Sequence, residues 1–391
     1  MERVGGVGLL PSGAVHLELP TAVTRRSVDA YAAVIEADDR EADDREADDR
    51  EADDRESGRP RERAHEEADS VKILLWHVHG SWTDAFVRGG HTYVLPVLPG
   101  RGPDGRGRAR TYPWPRNVIE APPEALADLD PDVVILQRPR EIELVRRWLG
   151  RDVGAGPPAV FLEHNTPKGD VPASRHPMAD RDDLTLVHVT HFNALFWDAG
   201  ATRTRVIEHG IADPGHRYTG GLPRLAVAVN EPVRRGRVTG TDLLPRFATA
   251  APVDAFGIGV DALPAHTGLP AERLAVFEDL SQASLHTALA RRRAYLHLPR
   301  WTSLGLSLLE AMHLGLPVVA LATTEAYEAV PRDAEVLSTD PGVLVTAARR
   351  FVDDPELAHA VGKNAREAAL RRYGLARFLR DWDALLADVA G

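Results

Sequence analysis

One pattern occurs twice in this chain, and the repetition decides most of what it can fold into. From Val71 onward, short apolar runs alternate with helical patterns. Val71–His79, His91–Leu98, Asp132–Leu136, Ala159–Glu163, Thr185–Val189 and Thr204–Glu208 read as strands, with helices such as Glu141–Leu149 and His191–Ala199 between them. Residues 209–223 are rich in Gly and Pro and read as a linker. The alternation then restarts. Leu225–Val229, Val253–Ile258, Ala294–Leu298, Pro317–Leu321 and Glu335–Leu337 read as strands; Thr241–Thr249, Ser281–Arg292, Leu304–Leu314, Gly342–Val352 and Glu356–Arg371 read as helices. Continuous apolar strands alternating with amphipathic helices build parallel sheets covered on both faces. The pattern predicts an α/β chain of two doubly wound, Rossmann-like domains, over residues 70–215 and 222–374. Residues 375–391 predict a last amphipathic helix, with Phe378, Trp382, Leu385 and Leu386 on one side, packing back on the first domain. Two such domains facing each other leave a cleft between the carboxyl ends of their strands.

The first 69 residues follow another rule. Residues 36–55 are four copies of Glu-Ala-Asp-Asp-Arg. A five-residue repeat returns each Ala about 140° from the last, so no apolar stripe forms. Such a segment cannot offset its ordering entropy, and residues 1–69 are predicted to be a disordered extension. Each copy carries a net charge of −2, so the four account for most of the −11 of the 391-residue chain. The remainder is near neutral, which argues against a nucleic-acid partner.

There is no cysteine. That excludes disulfides, thiolate zinc sites, iron–sulfur centres and cysteine nucleophiles, and it fits a reducing, cytoplasmic setting. No apolar run reaches the ~18–20 residues of a membrane span. Peripheral membrane contact stays open. The first 35 residues lack the order of a signal peptide. Among the 16 histidines, His77 with His79 and His188 with His191 form close pairs, but no acid sits beside them at a metal-like spacing.

The most informative segment runs from Tyr295 to Ala320 and reads strand, loop, helix, tight turn, strand. Thr302 or Ser303 is placed to cap the helix. Gly305 lets a ligand approach the backbone, and the helix N-terminus suits a phosphate. Glu310 lies in the otherwise apolar stretch Leu306–Leu314, where an acid is costly unless paired. Its two oxygens can accept from both hydroxyls of a ribose.

This segment, Thr302-Ser-Leu-Gly-Leu-Ser-Leu-Leu-Glu-Ala-Met-His-Leu-Gly-Leu-Pro-Val-Val319, resembles the signature of retaining GT-B glycosyltransferases of the family-4 type. Their usual pattern is Glu-Gly-Phe-Gly-Leu-x-x-Leu-Glu-Ala-Met-x-x-Gly-x-Pro-Val-Val. The resemblance runs from Val71 to the end, strong in the C-terminal half and loose in the N-terminal half. It implies GT-B architecture and transfer of a sugar from a nucleotide-sugar donor to an acceptor, with no cofactor and no metal. It implies that Glu310 binds the donor ribose and that the backbone of Ser303, Leu304, Gly305 and Leu306 meets the diphosphate. The family has a second Glu eight residues before Glu310, contacting the donor sugar; here that position is Thr302, so the charge is gone.

Three further constellations follow. Val229–Leu244 opens the second domain with Arg234, Arg235 and Arg237 in a Gly-containing loop. Guanidinium forks suit phosphate, and Arg235 and Arg237 are the expected donor ligands. In Val160–Asp170, at a strand end, His164 is expected to face the cleft. The resemblance places it near the reacting sugar, where it can hydrogen-bond the donor or stabilise charge. His79-Gly80-Ser81 follows the first strand and is expected near the donor phosphate. It is not Gly-x-Gly-x-x-Gly, which argues against a nicotinamide enzyme. The sequence names neither donor base, sugar nor acceptor. Two alternatives stay open: a non-catalytic nucleotide-sugar-binding or scaffold protein of GT-B fold, and another GT-B enzyme such as a nucleotide-sugar epimerase.

Overall fold

The computed structural model describes residues 70–109, 111–331 and 335–390. The predicted disorder of residues 1–69 lies outside the described residues. The chain forms two parallel sheets. The first holds β1 (Lys72–Leu75), β2 (Thr92–Pro96), β3 (Val118–Ala121), β4 (Val133–Leu136), β5 (Ala159–Glu163), β6 (Leu184–His188) and β7 (Arg203–Val206), in the order β3-β2-β1-β4-β5-β6-β7. The second holds β8 (Leu222–Ala228), β9 (Val253–Gly257), β10 (Leu274–Glu278), β11 (Arg292–His297), β12 (Val318–Leu321) and β13 (Glu335–Ser338), in the order β10-β9-β8-β11-β12-β13. Each order reverses beside its first strand, so the crevices at β1/β4 and β8/β11 are switch points.

Period-two alternation builds both faces of each sheet. Ile73 and Leu75 of β1 point into one cluster with Trp82, Phe86 and Tyr93; Leu74 joins Val134, Leu136 and Leu144 on the other side. All of these side chains are buried. At ~25 cal/mol per Å² of apolar surface, such strand interiors are the main source of stability.

Two strands have no counterpart in the sequence-based expectation: β3 and β10. Both are edge strands. In β3 the central residues Ile119 and Glu120 are exposed, and β10 is buried only at Leu274. In β3 the run is interrupted by Glu120, whereas β10 does carry a continuous apolar run, Leu274–Phe277, which the sequence-based reading passes over. The predicted helix Thr241–Thr249 is instead a single 3₁₀ turn followed by the short helix Leu244–Phe247, with Pro245 near its start. Strand β8 also begins at Leu222, inside the predicted linker.

The helix Leu375–Ala390 crosses back to the first domain. Phe378, Trp382, Leu385 and Leu386 are buried there, and the Trp382 ring sits 4.9 Å from Phe86 and 5.6 Å from Trp82, both edge-to-face. Such aromatic pairs add about 1 kcal/mol beyond their area. Gly210 permits the crossing: a Cβ there would lie 2.3 Å from Cβ of Phe378.

The domains also touch across the cleft. Trp301 Nε1 donates to Pro167 O at 2.8 Å, with its ring edge-on to Phe192 and Phe196. Ser303 and Thr190 share a hydroxyl bond of 3.1 Å, and the buried Glu325 accepts from the Phe192 backbone N–H at 2.8 Å. The molecule is closed around its cleft.

Candidate donor and reaction site

The cleft encloses about 810 Å³ between the two sheets. On the second-domain side, β11 ends at His297, and a loop leads into the helix Leu306–Leu314. Gly305 is the N-cap, and no side chain caps this helix. Neither Thr302 nor Ser303 performs the predicted capping. Ser303 Oγ turns instead to Thr190 across the cleft, and Thr302 Oγ1 is buried without a hydrogen-bond partner. The first-turn N–H groups therefore lack a side-chain acceptor at a point that lines the cleft, and the helix dipole adds partial positive charge. That is a ready anion site. Gly305 is confined from below: a Cβ would lie 2.9 Å from His297 Cε1. Burial lowers the His297 pKa to about 4, so its ring is neutral.

Glu310 lies further along the same helix, 4% exposed. Its Oε1 accepts from Gln282 Nε2 at 3.2 Å and from Ser81 Oγ of the first domain at 3.3 Å. His286 Nε2 sits 3.5 Å from its Oε2. The acid is thus ringed by donors at the floor of the cleft. A ribose diol could displace these bonds and take both oxygens.

The basic loop differs from expectation. Arg234 and Arg235 line the cleft, whereas Arg237 does not. The Arg237 side chain is 75% exposed and pairs with Asp242 at 2.9 Å, which also holds Arg300. The cause is local. Gly236 adopts a φ of +48° and a 3₁₀ turn over Gly236–Val238 follows, reversing the chain just after Arg235. The register taken from sequence alone does not include this reversal.

On the first-domain side, Gly80 and Ser81 follow β1 and also line the cleft. The Tyr112 ring lies over Gly80, and Ser81 Oγ meets Tyr112 Oη at 3.0 Å. His164 follows β5. Its ring centroid is 3.9 Å from that of His79 and 6.0 Å from that of His209. Burial, the largest cause, lowers His209 to about 3 and His164 well below the usual imidazole range, and the Arg377 guanidinium adds to the shift at His209. His79 falls to about 4 despite the opposing field of Glu163. These are three neutral rings in contact. His164 Nε2 and His209 Nδ1 have no hydrogen-bond partner, so both can serve a ligand.

The cleft therefore brings together His164, Gly80, Ser81, Thr302, Ser303, Leu304, Gly305, Arg235 and Glu310, and leaves Arg237 outside. Sequence reasoning passed over Gln282 and Arg106, which also line it. The sequence reading runs the first strand as far as His79, but β1 ends at Leu75, and both His77 and His79 lie in the loop after it. Among the described residues, no group of three or more His, Asp or Glu side chains is arranged to hold a metal.

Two doubly wound parallel-sheet domains facing a cleft give the chain a GT-B fold. Residues 266–368 match the family model described as glycosyl transferases group 1. The solved structures agree on the fold. Sucrose-phosphate synthase from Thermosynechococcus elongatus aligns with a TM-score of 0.60 at 15% identity, over 81% of this chain and 98% of that one. HepE from Anabaena in complex with UDP aligns with a TM-score of 0.60 at 12% identity, over 81% and 100%. A glycosyltransferase from Rickettsia africae gives 0.58 at 12% identity, over 82% and 99%. No curated protein matches this sequence.

Proposed function

We propose that the protein is a glycosyltransferase that moves a sugar from a nucleotide-sugar donor to an acceptor hydroxyl, with retention at the anomeric carbon and without a metal. The observation that carries this reading is the uncapped N-terminus of the helix Leu306–Leu314, opening into the cleft with Glu310 on the same helix. Glu310 would hold the two ribose hydroxyls. The helix N-terminus, Arg234 and Arg235 would receive the diphosphate, supplying the positive charge its departure needs. His164 would hydrogen-bond the donor sugar as a neutral imidazole.

The chemistry then needs no side-chain nucleophile. The acceptor oxygen bonds to the anomeric carbon while the bond to the phosphate oxygen breaks. The acceptor proton passes to the leaving diphosphate on the same face. The protein orients the partners and excludes water. The closed contacts of Trp301, Ser303 and Glu325 support that role.

One observation favours a second reading, a non-catalytic nucleotide-sugar binder. Thr302 stands where the family-4 pattern has an acid. Calorimetry with UDP, GDP, ADP and their sugar conjugates, without metal, tests both. Micromolar binding of one nucleotide class followed by sugar transfer is the expected result. Binding with neither transfer nor hydrolysis of the conjugate would leave the binder, and no binding would overturn the donor site. HepE is known with UDP-glucose bound, which puts the uridine series first in the panel.

A further inference from the structure

The chain leaves the first domain through Ile207–Ile211, and this short stretch is pinned at both ends and at its centre. Ile207 N–H donates to His188 O of β6 at 3.0 Å, and Ile211 N–H donates to Tyr373 O at 2.9 Å. Between them Arg377, from the helix Leu375–Ala390, donates through Nη2 to the carbonyls of Glu208, at 3.0 Å, and of His209. Its Nη1 pairs with Asp381 one turn on at 2.8 Å, which steadies the guanidinium. Gly210 has no room for a side chain against Phe378 of the same helix. The backbone that carries His209 is therefore held in place by the C-terminal helix.

The His209 side chain is buried, yet it lines the cleft. Its ring stacks on that of His164 at an interplanar angle of 21°. Its Nδ1 makes no hydrogen bond. A buried ring nitrogen without a partner costs free energy that an apolar ring of the same shape would not. Such an atom, fixed in the wall of a cleft, suits a polar group that arrives with the ligand. The cluster also borders the donor site. His79, in contact with His164, stands two residues before Ser81, and Ser81 Oγ reaches Glu310 at 3.3 Å.

We propose that His209 is a second imidazole contacting the transferred sugar, hydrogen-bonding one of its hydroxyls beside His164, and that Arg377 is the positioning residue that holds it there. This rests on the donor reading above, which puts the sugar in the cleft beyond the diphosphate. A neutral imidazole carries one donor and one acceptor nitrogen, so a pair of them recognises hydroxyls and gives no advantage to a charged sugar. The last helix is thereby part of the sugar site, although none of its residues lines the cleft.

The test uses the full chain. UDP, GDP and ADP are each titrated by calorimetry beside their glucose and mannose conjugates. His209→Phe keeps the stacked ring and removes both nitrogens. It should weaken the conjugate that binds about tenfold, the loss of one hydrogen bond, and leave the bare diphosphate within about twofold. His209→Asn keeps a donor and an acceptor and should recover part of the loss. Arg377→Met should show the same sugar-selective loss in smaller measure, and Arg377→Lys should restore some of it. The double variant of His209→Phe with Arg377→Met should bind the conjugate no more weakly than His209→Phe alone, because Arg377 acts through His209. Circular dichroism checks the fold of each variant; where His209→Phe folds poorly, His209→Asn and Arg377→Met carry the test. Three results would overturn the proposal: unchanged conjugate binding in His209→Phe, a loss shared equally by conjugate and diphosphate, or additive losses in the double variant. If neither diphosphates nor conjugates bind the wild type, the donor reading itself has failed and this inference falls with it.

Discussion

The two walls of the cleft are assembled in different ways. The second-domain wall takes its anion site and its buried acid from one continuous stretch, His297 to Glu310, a single strand–loop–helix unit. The first-domain wall gathers His79, Arg106, Tyr112, His164 and His209 from four separate places in the chain. The first arrangement fixes geometry locally, because one helix sets the separation of phosphate site and carboxylate. The second depends on the sheet, which brings the ends of β1, β2, β5 and β7 to one edge. Such a wall can vary loop by loop without disturbing the core.

The largest effect should come from the compact wall. Glu310→Ala removes two charge-assisted acceptors, each worth ~1.5–3 kcal/mol, and should weaken nucleotide binding by on the order of a hundredfold. Calorimetry on the purified variant, with its circular dichroism spectrum unchanged, checks this. An unaltered affinity would remove the contrast between the walls.

That difference in assembly explains what could be read before the fold was known. The second-domain site lies in consecutive residues, so spacing alone places Glu310 and Gly305 on one helix. The alternation of apolar runs likewise shows two parallel sheets, because their interiors are buried on both faces. The edge strand β3 escapes, since its central residues Ile119 and Glu120 meet solvent, while the apolar run Leu274–Phe277 of β10 is legible in the sequence and is passed over. The His79–His164 contact joins residues 85 positions apart in sequence, and no periodicity links them. Arg237 is misplaced because a positive φ at Gly236 turns the chain, and a sequence states that glycine permits such a turn, not that it occurs.

The next prediction concerns acid. His79 and His209 titrate near 4 and 3 in the fold, against ~6.5 in the unfolded chain. Their folded pKa values lie below the unfolded value, so the unfolded chain takes up protons first as pH falls. Their contribution is complete above pH ~6.5 and is lost progressively toward pH ~4. The melting temperature should drop by about 5 °C or more between pH 7 and pH 5. A flat profile by scanning calorimetry would mean that these rings are reached by water.

A smaller effect should separate two arginines of one loop. Arg235→Ala removes a guanidinium from the cleft and should weaken diphosphate binding about tenfold, the worth of one charge-assisted bond. Arg237→Ala removes an exposed partner of Asp242 and should change affinity less than about twofold, as surface pairs contribute ~0–1 kcal/mol. Equal losses would show that the loop rearranges when the donor enters.

The smallest effect on the fold should come from Thr302, and there the direction matters most. Its hydroxyl is buried and unpartnered. A buried polar atom without a partner costs about 1–3 kcal/mol. Thr302→Val keeps the shape and removes that atom, so the melting temperature should stay level or rise slightly. If the hydroxyl waits for the donor sugar, the same change should weaken binding of the nucleotide-sugar several-fold while leaving the bare nucleoside diphosphate untouched. The two titrations separate the roles. Equal affinities for both ligands in wild type and variant would mean that Thr302 only fills space, and that sugar recognition rests on the histidines of the opposite wall.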